Sequence, residues 1–349
     1  MGLNADWKPP VFIVGASRSG TAMLRSIVMR DESVSLVGET HYFDDLRTRF
    51  KDRTISSMSE EERNICADYF RAIASRPYGK QGNPDDSWFT RDELLTYAAE
   101  LGDSVDCIFE AFCKLRASRD DAQIWGEKTP RHVFRIDDIL ALYPAAQVVC
   151  MVRDPRAVVA SYRDWHSGDE TVDAGQKLDQ QRARKSYHIV LASLMWRAAT
   201  NAALQARQKH GPDRVKIVLY EDIVNEPEEA VRDVAEWLGL KFSSNLLAVP
   251  LHNSSVMKVD HGAGISSTPK NRWRQVLSDR EIGVIQHVVG KCLTDVGFDS
   301  EDVKVSRLNV AMSYATLPYS VIQAAQANKD RYSSLPKYAL RRLRAVLKV

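Results

Sequence analysis

Pro10-Val11-Phe12-Ile13-Val14-Gly15-Ala16-Ser17-Arg18-Ser19-Gly20-Thr21-Ala22-Met23-Leu24 decides the fold of this chain. An apolar strand over Val11–Val14 ends at Gly15, a polar turn follows, and a helix is expected to open near Ser19. Strand, tight turn and helix N-terminus together aim several backbone N–H groups at one point. That arrangement suits an anionic phosphate.

The spacing from Gly15 to Gly20 also fits the phosphate loop of nucleoside triphosphatases, G-x-x-x-x-G-K-[ST]. The next two residues do not fit it. Thr21 stands where that motif has its lysine and Ala22 where it has its magnesium-binding hydroxyl. The loop keeps the cradle, lacks the parts used for ATP hydrolysis, and places a cation, Arg18, inside the turn. It reads as a phosphate site that works without a metal.

Bulk properties agree with a globular enzyme. The 349 residues suit one large α/β domain or two smaller ones, and 44% hydrophobic with 27% charged residues is ordinary for such a protein. A net charge of +2 gives no reason to expect nucleic acid as a partner. No apolar run approaches the ~18 residues of a membrane span. No basic-then-apolar leader opens the sequence, so a cytoplasmic location is expected. Five scattered cysteines with no C-x-x-C imply reduced thiols, not a zinc site or a disulfide framework.

Further along, strands are expected at Val34–Val37, Val148–Val152 and Val215–Leu219. Between the first two, residues 44–121 read as a charged, mostly helical insertion, placed on the acceptor side of the site. Capping boxes at Ser59…Glu62 and Thr90…Glu93 mark helix starts there, and Ser278…Glu281 marks another later on. Asp154 and Pro155 cap and open a helix to about residue 165, and a longer helix is expected over 181–210. Residues 166–180 and 250–272 read as loops. Strands alternating with helices predict an α/β fold, a P-loop-like parallel sheet flanked by helices with a helical insertion, all one domain over 1–349. A C-terminal extension spans 305–349. From Arg331 to Val349 it has six basic residues and no acidic ones, interleaved with Leu and Val, a composition suited to weak contact with an anionic bilayer surface.

A second anion site is expected at the end of the Val148–Val152 strand. Arg153 stands at the carboxyl end, where α/β proteins bind ligands, and Ser161 lies eight residues on inside the helix. A guanidinium fork and a hydroxyl suit a phosphate. Taken alone, an Arg-Asp pair at a strand end reads equally well as a structural salt bridge. Two separated cradles on neighbouring strand ends, however, suit a nucleotide with phosphates on both the 5′ and 3′ sides of its ribose.

On these residues the chain resembles the sulfotransferases that use 3′-phosphoadenosine-5′-phosphosulfate (PAPS). Their 5′ loop reads like Ser17-Arg18-Ser19-Gly20-Thr21, and their 3′ motif has Arg and Ser spaced like Arg153 and Ser161. Leu219-Tyr220-Glu221-Asp222-Ile223-Val224-Asn225-Glu226-Pro227 and Asn271-Arg272-Trp273-Arg274-Gln275-Val276-Leu277 look like two further family elements. Within the superfamily the resemblance is nearest to the branch of protein-tyrosine sulfotransferases and related bacterial enzymes. Gly38-Glu39-Thr40 is similar to a motif whose glutamate is the catalytic base there, and Lys128-Thr129-Pro130 to one whose amine reaches the transferring group. The resemblance implies catalytic roles for Glu39, Lys128 and Arg18. It implies PAPS (product PAP) contacts from Arg18, Ser19, Gly20, Thr21, Ala22, Arg153, Ser161, Tyr220, Arg272 and Trp273, and no metal. His41 departs from the tyrosine enzymes, which have arginine there, and is a rival base.

The implied reaction is in-line sulfuryl transfer to an acceptor hydroxyl on a sugar, glycolipid or small metabolite, analogous to phosphoryl transfer. Two other readings stay open: a nucleotide kinase with a divergent phosphate loop, and a non-catalytic nucleotide-binding protein. Individual residues keep plainer readings too. Glu39 reads also as a surface carboxylate or a partner for Arg18, Lys128 as a neutraliser of Glu127, and Trp196 as core. His261, Gly262 and Gly264 read as a lid or as a plain surface loop.

Overall fold

Strands form where four to six residues can be buried between two layers of helix. In the computed structural model, which describes residues 6–75, 82–164, 185, 187–249 and 272–327, five strands make one sheet. They are β1 (Val11–Gly15), β2 (Val34–Val37), β3 (Ile124–Lys128), β4 (Gln147–Val152) and β5 (Val215–Leu219). Their order is β2-β3-β1-β4-β5 and every pairing is parallel. Parallel neighbours need crossover connections, and helices supply them.

The alternation of β1 sorts the core into two layers. Phe12 and Val14 face one side, with Trp125, Val148 and Cys150 of neighbouring strands and Phe70, Phe109 and Phe112 of the insertion. Val11 and Ile13 face the other, with Val149, Met151, Leu24, Ile27 and Ile223. A residue period of two makes this division automatic.

Strand β3 was not among the expected strands. Its Gly126, Glu127 and Lys128 interrupt the apolar pattern, yet all five residues are buried. Gly126 is required there, because a Cβ would lie 1.8 Å from the Val11 carbonyl oxygen of β1.

Helix α1 (Thr21–Val28) opens two residues later than Ser19, because Gly20 adopts a left-handed φ of 89° as its N-cap. The segment between β2 and β3 holds α2 (Leu46–Phe50), α3 (Glu60–Ser75), α4 (Arg91–Leu101) and α5 (Asp106–Arg119). A 3₁₀ turn (Pro130–Arg135) and α6 (Ile136–Leu142) follow β3, and α7 (Pro155–Asp164) follows β4. Then come α8 (Ile189–His210), α9 (Tyr220–Asn225) and α10 (Pro227–Trp237). The chain continues through α11 (Trp273–Val276), α12 (Asp279–Val289), α13 (Cys292–Asp295), α14 (Arg307–Ala315) and α15 (Leu317–Ala327).

All three expected capping boxes are formed, at Ser59/Glu62, Thr90/Glu93 and Ser278/Glu281. Asp154 caps α7 by accepting from the Arg156 amide at 2.8 Å. The helix expected over 181–210 begins at Ile189, because His188 is extended at its N-cap. The loop expected over 166–180, the His261–Gly264 segment and the basic tail from Arg331 lie outside the described residues. Among the described residues no helix is long and apolar enough to cross a membrane.

Candidate active site

From β1 the chain runs to β2 and then to β3 on one side of it, and crosses to β4 and β5 on the other, which creates a crevice at the carboxyl ends of the strands. The segments that follow β1, β2, β4 and β5 deliver, in turn, Arg18 to Ala22, Glu39, Arg153 with Ser161, and Tyr220, and the last residue of β3 is Lys128.

The loop after β1 is built to expose its backbone. Ser19 donates its amide to the Ala16 carbonyl at 3.2 Å, closing the turn. Arg18 takes a left-handed φ of 72°. Gly20 cannot be replaced freely, since a Cβ would come within 2.5 Å of the Tyr220 ring. The first intrahelical bond of α1 runs from the Leu24 amide to the Gly20 carbonyl, so the amides of Thr21, Ala22 and Met23 precede the helical ladder. Ser19 is fully buried and its hydroxyl has no hydrogen-bond partner among the described residues. A buried orphan hydroxyl beside a helix N-terminus fits a phosphate oxygen.

The two anion motifs are wired together. Arg18 donates through Nε to Ser161 Oγ at 3.0 Å, and Arg153 donates through Nη1 to the Arg18 carbonyl at 3.2 Å. The Arg153 guanidinium also lies over the Tyr220 ring, 4.2 Å from its centroid. A hydroxyl both accepts and donates, so the Ser161 bond from Arg18 is compatible with a phosphate contact. Trp196 is core, as its helix position implied. It also has a task no sequence signal announced: its indole N–H donates to the Arg153 carbonyl at 2.8 Å.

Lys128 Nζ donates to Glu39 Oε1 at 2.6 Å. The lysine side chain is only 3% exposed, so this carboxylate offsets the desolvation of its charge. His41 Nε2 stands 3.6 Å from Glu39 Oε2, and burial holds the imidazole below its ordinary pKa, neutral at pH 7.

Beneath this pair lies a buried network that sequence reasoning missed. Glu127 Oε1 accepts from the Thr40 amide at 3.1 Å, from the Thr40 hydroxyl at 2.6 Å, and from the Thr129 hydroxyl. Its Oε2 lies 3.3 Å from His132 Nδ1. Burial pushes the Glu127 carboxyl up, but His132 and the threonine hydroxyls outweigh it and the net shift is downward. The network clamps Thr40 to β3 and so sets where Glu39 stands.

Arg272 and Trp273 meet α7. Arg272 Nη2 pairs with Asp164 at 3.0 Å, one turn beyond Ser161 on α7. The guanidiniums of Arg156 and Arg274 lie over the Trp273 ring, 4.3 and 4.6 Å from its centroid, and the ring packs in one cluster with Val158 and Val159 of α7.

A model of the sulfotransferase family matches residues 9–244, a span that includes all five strands and every strand-end residue named above. The chain belongs to the sulfotransferase family. A sulfotransferase domain from the curacin biosynthetic pathway shares the fold: TM-score 0.51 at 15% identity, covering 85% of this chain and 100% of that one. The sulfotransferase domain of the Synechococcus PCC 7002 olefin synthase gives 0.48 at 16% identity, with 91% and 98% covered. A retinol dehydratase in complex with retinol and PAP gives 0.36 at 12% identity, with 86% and 85% covered. For this sulfotransferase the family accounts for sulfuryl transfer as the general activity.

Proposed function

We propose that this sulfotransferase moves the sulfuryl group of PAPS to an acceptor hydroxyl, with Glu39 as general base. The observation that carries the reading is the 2.6 Å contact between Lys128 Nζ and Glu39 Oε1, a proton acceptor and a cation side by side at the carboxyl edge of the sheet. Lys128 sits on β3 in register with Ile13 of β1, two residues before the loop at Gly15.

The residues present fit the nucleotide. Ser19, Gly20, Thr21 and Ala22 would hold the 5′ phosphate, with the orphan Ser19 hydroxyl as a donor. Arg153 and Ser161 would hold the 3′ phosphate, and Tyr220 would border the adenine. Arg272, on leaving Asp164, is assigned to the 3′ side with Trp273 behind it. When bound, PAPS supplies the sulfuryl group and a phosphate that leaves with added negative charge. Arg18 and Lys128 meet that charge, each such contact being worth on the order of 10²–10³ in rate. An ammonium has three N–H donors, so Lys128 can keep one on Glu39 while presenting others to the reacting centre. Glu39 removes the acceptor proton, because a carboxylate within hydrogen-bond reach of the acceptor hydroxyl can serve as its general base. The acceptor is assigned to the sugar, glycolipid and small-metabolite hydroxyls, and the reaction to the cytoplasm.

Titration calorimetry of PAP in the presence of a chelator tests the binding half. Binding is expected without metal, and tight magnesium–ATP binding without PAP binding would favour the kinase reading instead. For the chemical half, Glu39→Gln should abolish transfer from PAPS across a panel of hydroxyl acceptors and leave PAP affinity nearly unchanged. Normal turnover in Glu39→Gln would move the base to His41. PAP binding with no turnover on any acceptor by the unaltered chain would favour a non-catalytic binder.

A further inference from the structure

The large apolar side chains left exposed among the described residues all lie in one stretch: Leu308 at 70%, Met312 at 53%, Tyr314 at 38%, Tyr319 at 65% and Ile322 at 55%. Leu308 and Met312 are one turn apart on α14, and Tyr319 and Ile322 are one turn apart on α15, so each pair shares a helix face. The inner sides of these helices are already used. Val310 packs on Val190, Leu194, Val284 and Val288, with Leu317 beside them. A surface helix normally turns a charged face to water. Residues 308–328 contain no charged side chain at all.

Charge is distributed to match. Residues 305–349 hold eight of the 48 Lys and Arg and one of the 46 acids, Asp330. That leaves 40 basic against 45 acidic residues for 1–304, so a net −5 body ends in a net +7 extension. Two copies meeting through this face would bring like charges together. An anionic surface would be attracted to it.

Topology fixes where the stretch lies. Helix α8 leads into β5, so it runs against the strands and its first residues stand at their carboxyl edge. His188, just before α8, is hydrogen-bonded through Nε2 to Thr316 Oγ1 at 3.0 Å, the junction of α14 and α15. Two turns along α8, Trp196 reaches the Arg153 carbonyl. The exposed apolar stretch therefore belongs to the end of the molecule that carries Glu39, Lys128 and Arg153.

We propose that α14 and α15 seat on the surface of an anionic phospholipid bilayer and that the acceptor hydroxyl is borne by a lipid at that surface. The second clause rests on the sulfotransferase reading; the first does not. At about 1.5 Å rise per residue the two helices are roughly 14 and 17 Å long, too short for a hydrocarbon core of about 30 Å, so they lie in the interface plane. Leu308, Met312 and Ile322 enter the acyl boundary and the tyrosines sit at headgroup level, while the sequence from Lys329 to Lys348 supplies the positive charge that favours an anionic surface.

Flotation of the full chain with phosphatidylcholine vesicles, with and without phosphatidylglycerol, tests this. Binding is expected only with phosphatidylglycerol and should fall with salt. Replacing Leu308, Met312, Tyr319 and Ile322 with serine should abolish it, and these exposed positions leave the core intact. Arg341→Gln/Arg342→Gln/Arg344→Gln should weaken it about a hundredfold, since each interfacial cation is worth roughly a fivefold change in partitioning. No binding to phosphatidylglycerol vesicles, or binding that survives the serine changes, overturns the proposal. So does a dimer in light scattering that the serine changes dissolve, because a second copy is then the occupant. PAP titration without lipid is scored separately. Vesicle binding without PAP binding would sink the nucleotide reading alone, and PAP binding without vesicle binding would sink the membrane seat alone.

Discussion

Arg153 is fixed at three points: its carbonyl by Trp196, one terminal nitrogen by the Arg18 carbonyl, and its guanidinium plane by the Tyr220 ring. A guanidinium held this way has lost most of its rotamer freedom before any ligand arrives, so little further entropy is lost on binding. If it serves the 3′ phosphate, Arg153→Ala should weaken PAP by about 1.5–3 kcal/mol, roughly tenfold to a hundredfold. Adenosine 5′-phosphosulfate lacks that phosphate and should lose far less. Calorimetric titration of both ligands checks this, and equal losses would give Arg153 a different role. At this scale the sequence pointed to Arg18, Arg153 and Ser161, and the structure brings the three together. The sequence was silent about partners. The Trp196 contact joins residues 43 positions apart, and no spacing rule connects them.

Element by element, the strand with the most chemistry was the hardest to see. Strands β1, β2, β4 and β5 announce themselves by apolar runs, and their observed limits lie within a residue of those read from the sequence. Strand β3 looks like a loop because half its residues are there for other reasons. Gly126 lets the β1 backbone approach, Glu127 clamps Thr40 and Thr129, and Lys128 serves Glu39. A buried strand that places a carboxylate and an amine in the core cannot display the pattern that identifies buried strands. The Glu127 network also yields a sharp expectation. Glu127→Leu strands the Thr40 and Thr129 hydroxyls, leaves the Thr40 amide only its contact with Thr129 Oγ1, and removes the carboxylate beside His132. It should cost about 2–4 kcal/mol of stability in urea unfolding. Glu127→Gln keeps an acceptor oxygen and should cost much less. A Leu variant as stable as the parent would mean that Glu39 is placed by something other than this clamp.

Across the whole molecule, the insertion and the sheet share one core. Phe70, Phe109 and Phe112 pack in the same cluster as Phe12, Trp125 and Val148, so helices α3 and α5 cannot come away without opening a face of the sheet. Unfolding is therefore expected as one cooperative transition, which makes its pH dependence interpretable. Glu221 dominates that expectation. Its Oε1 accepts from the Asp154 amide at 3.1 Å, while Oε2 is buried without a partner among the described residues. Burial, with the Asp154 charge adding to it, pushes the carboxyl from 4.5 to about 7, against the opposing pulls of the Asp154 amide and, less, of Arg153. The folded state thus favours the protonated acid. This contribution is complete below the unfolded pKa and is lost as pH rises through about 7. Glutamine resembles the protonated form and keeps the oxygen that faces Asp154. Glu221→Gln should match the parent near pH 4.5 and become the more stable of the two by pH 8, with a gap of up to about 3 kcal/mol. Chemical denaturation of both proteins across that range measures the gap directly. A gap that stays flat with pH would show that Glu221 is ionised in the fold, and the strand-end cluster around Arg153 would then hold one more negative charge than this account allows.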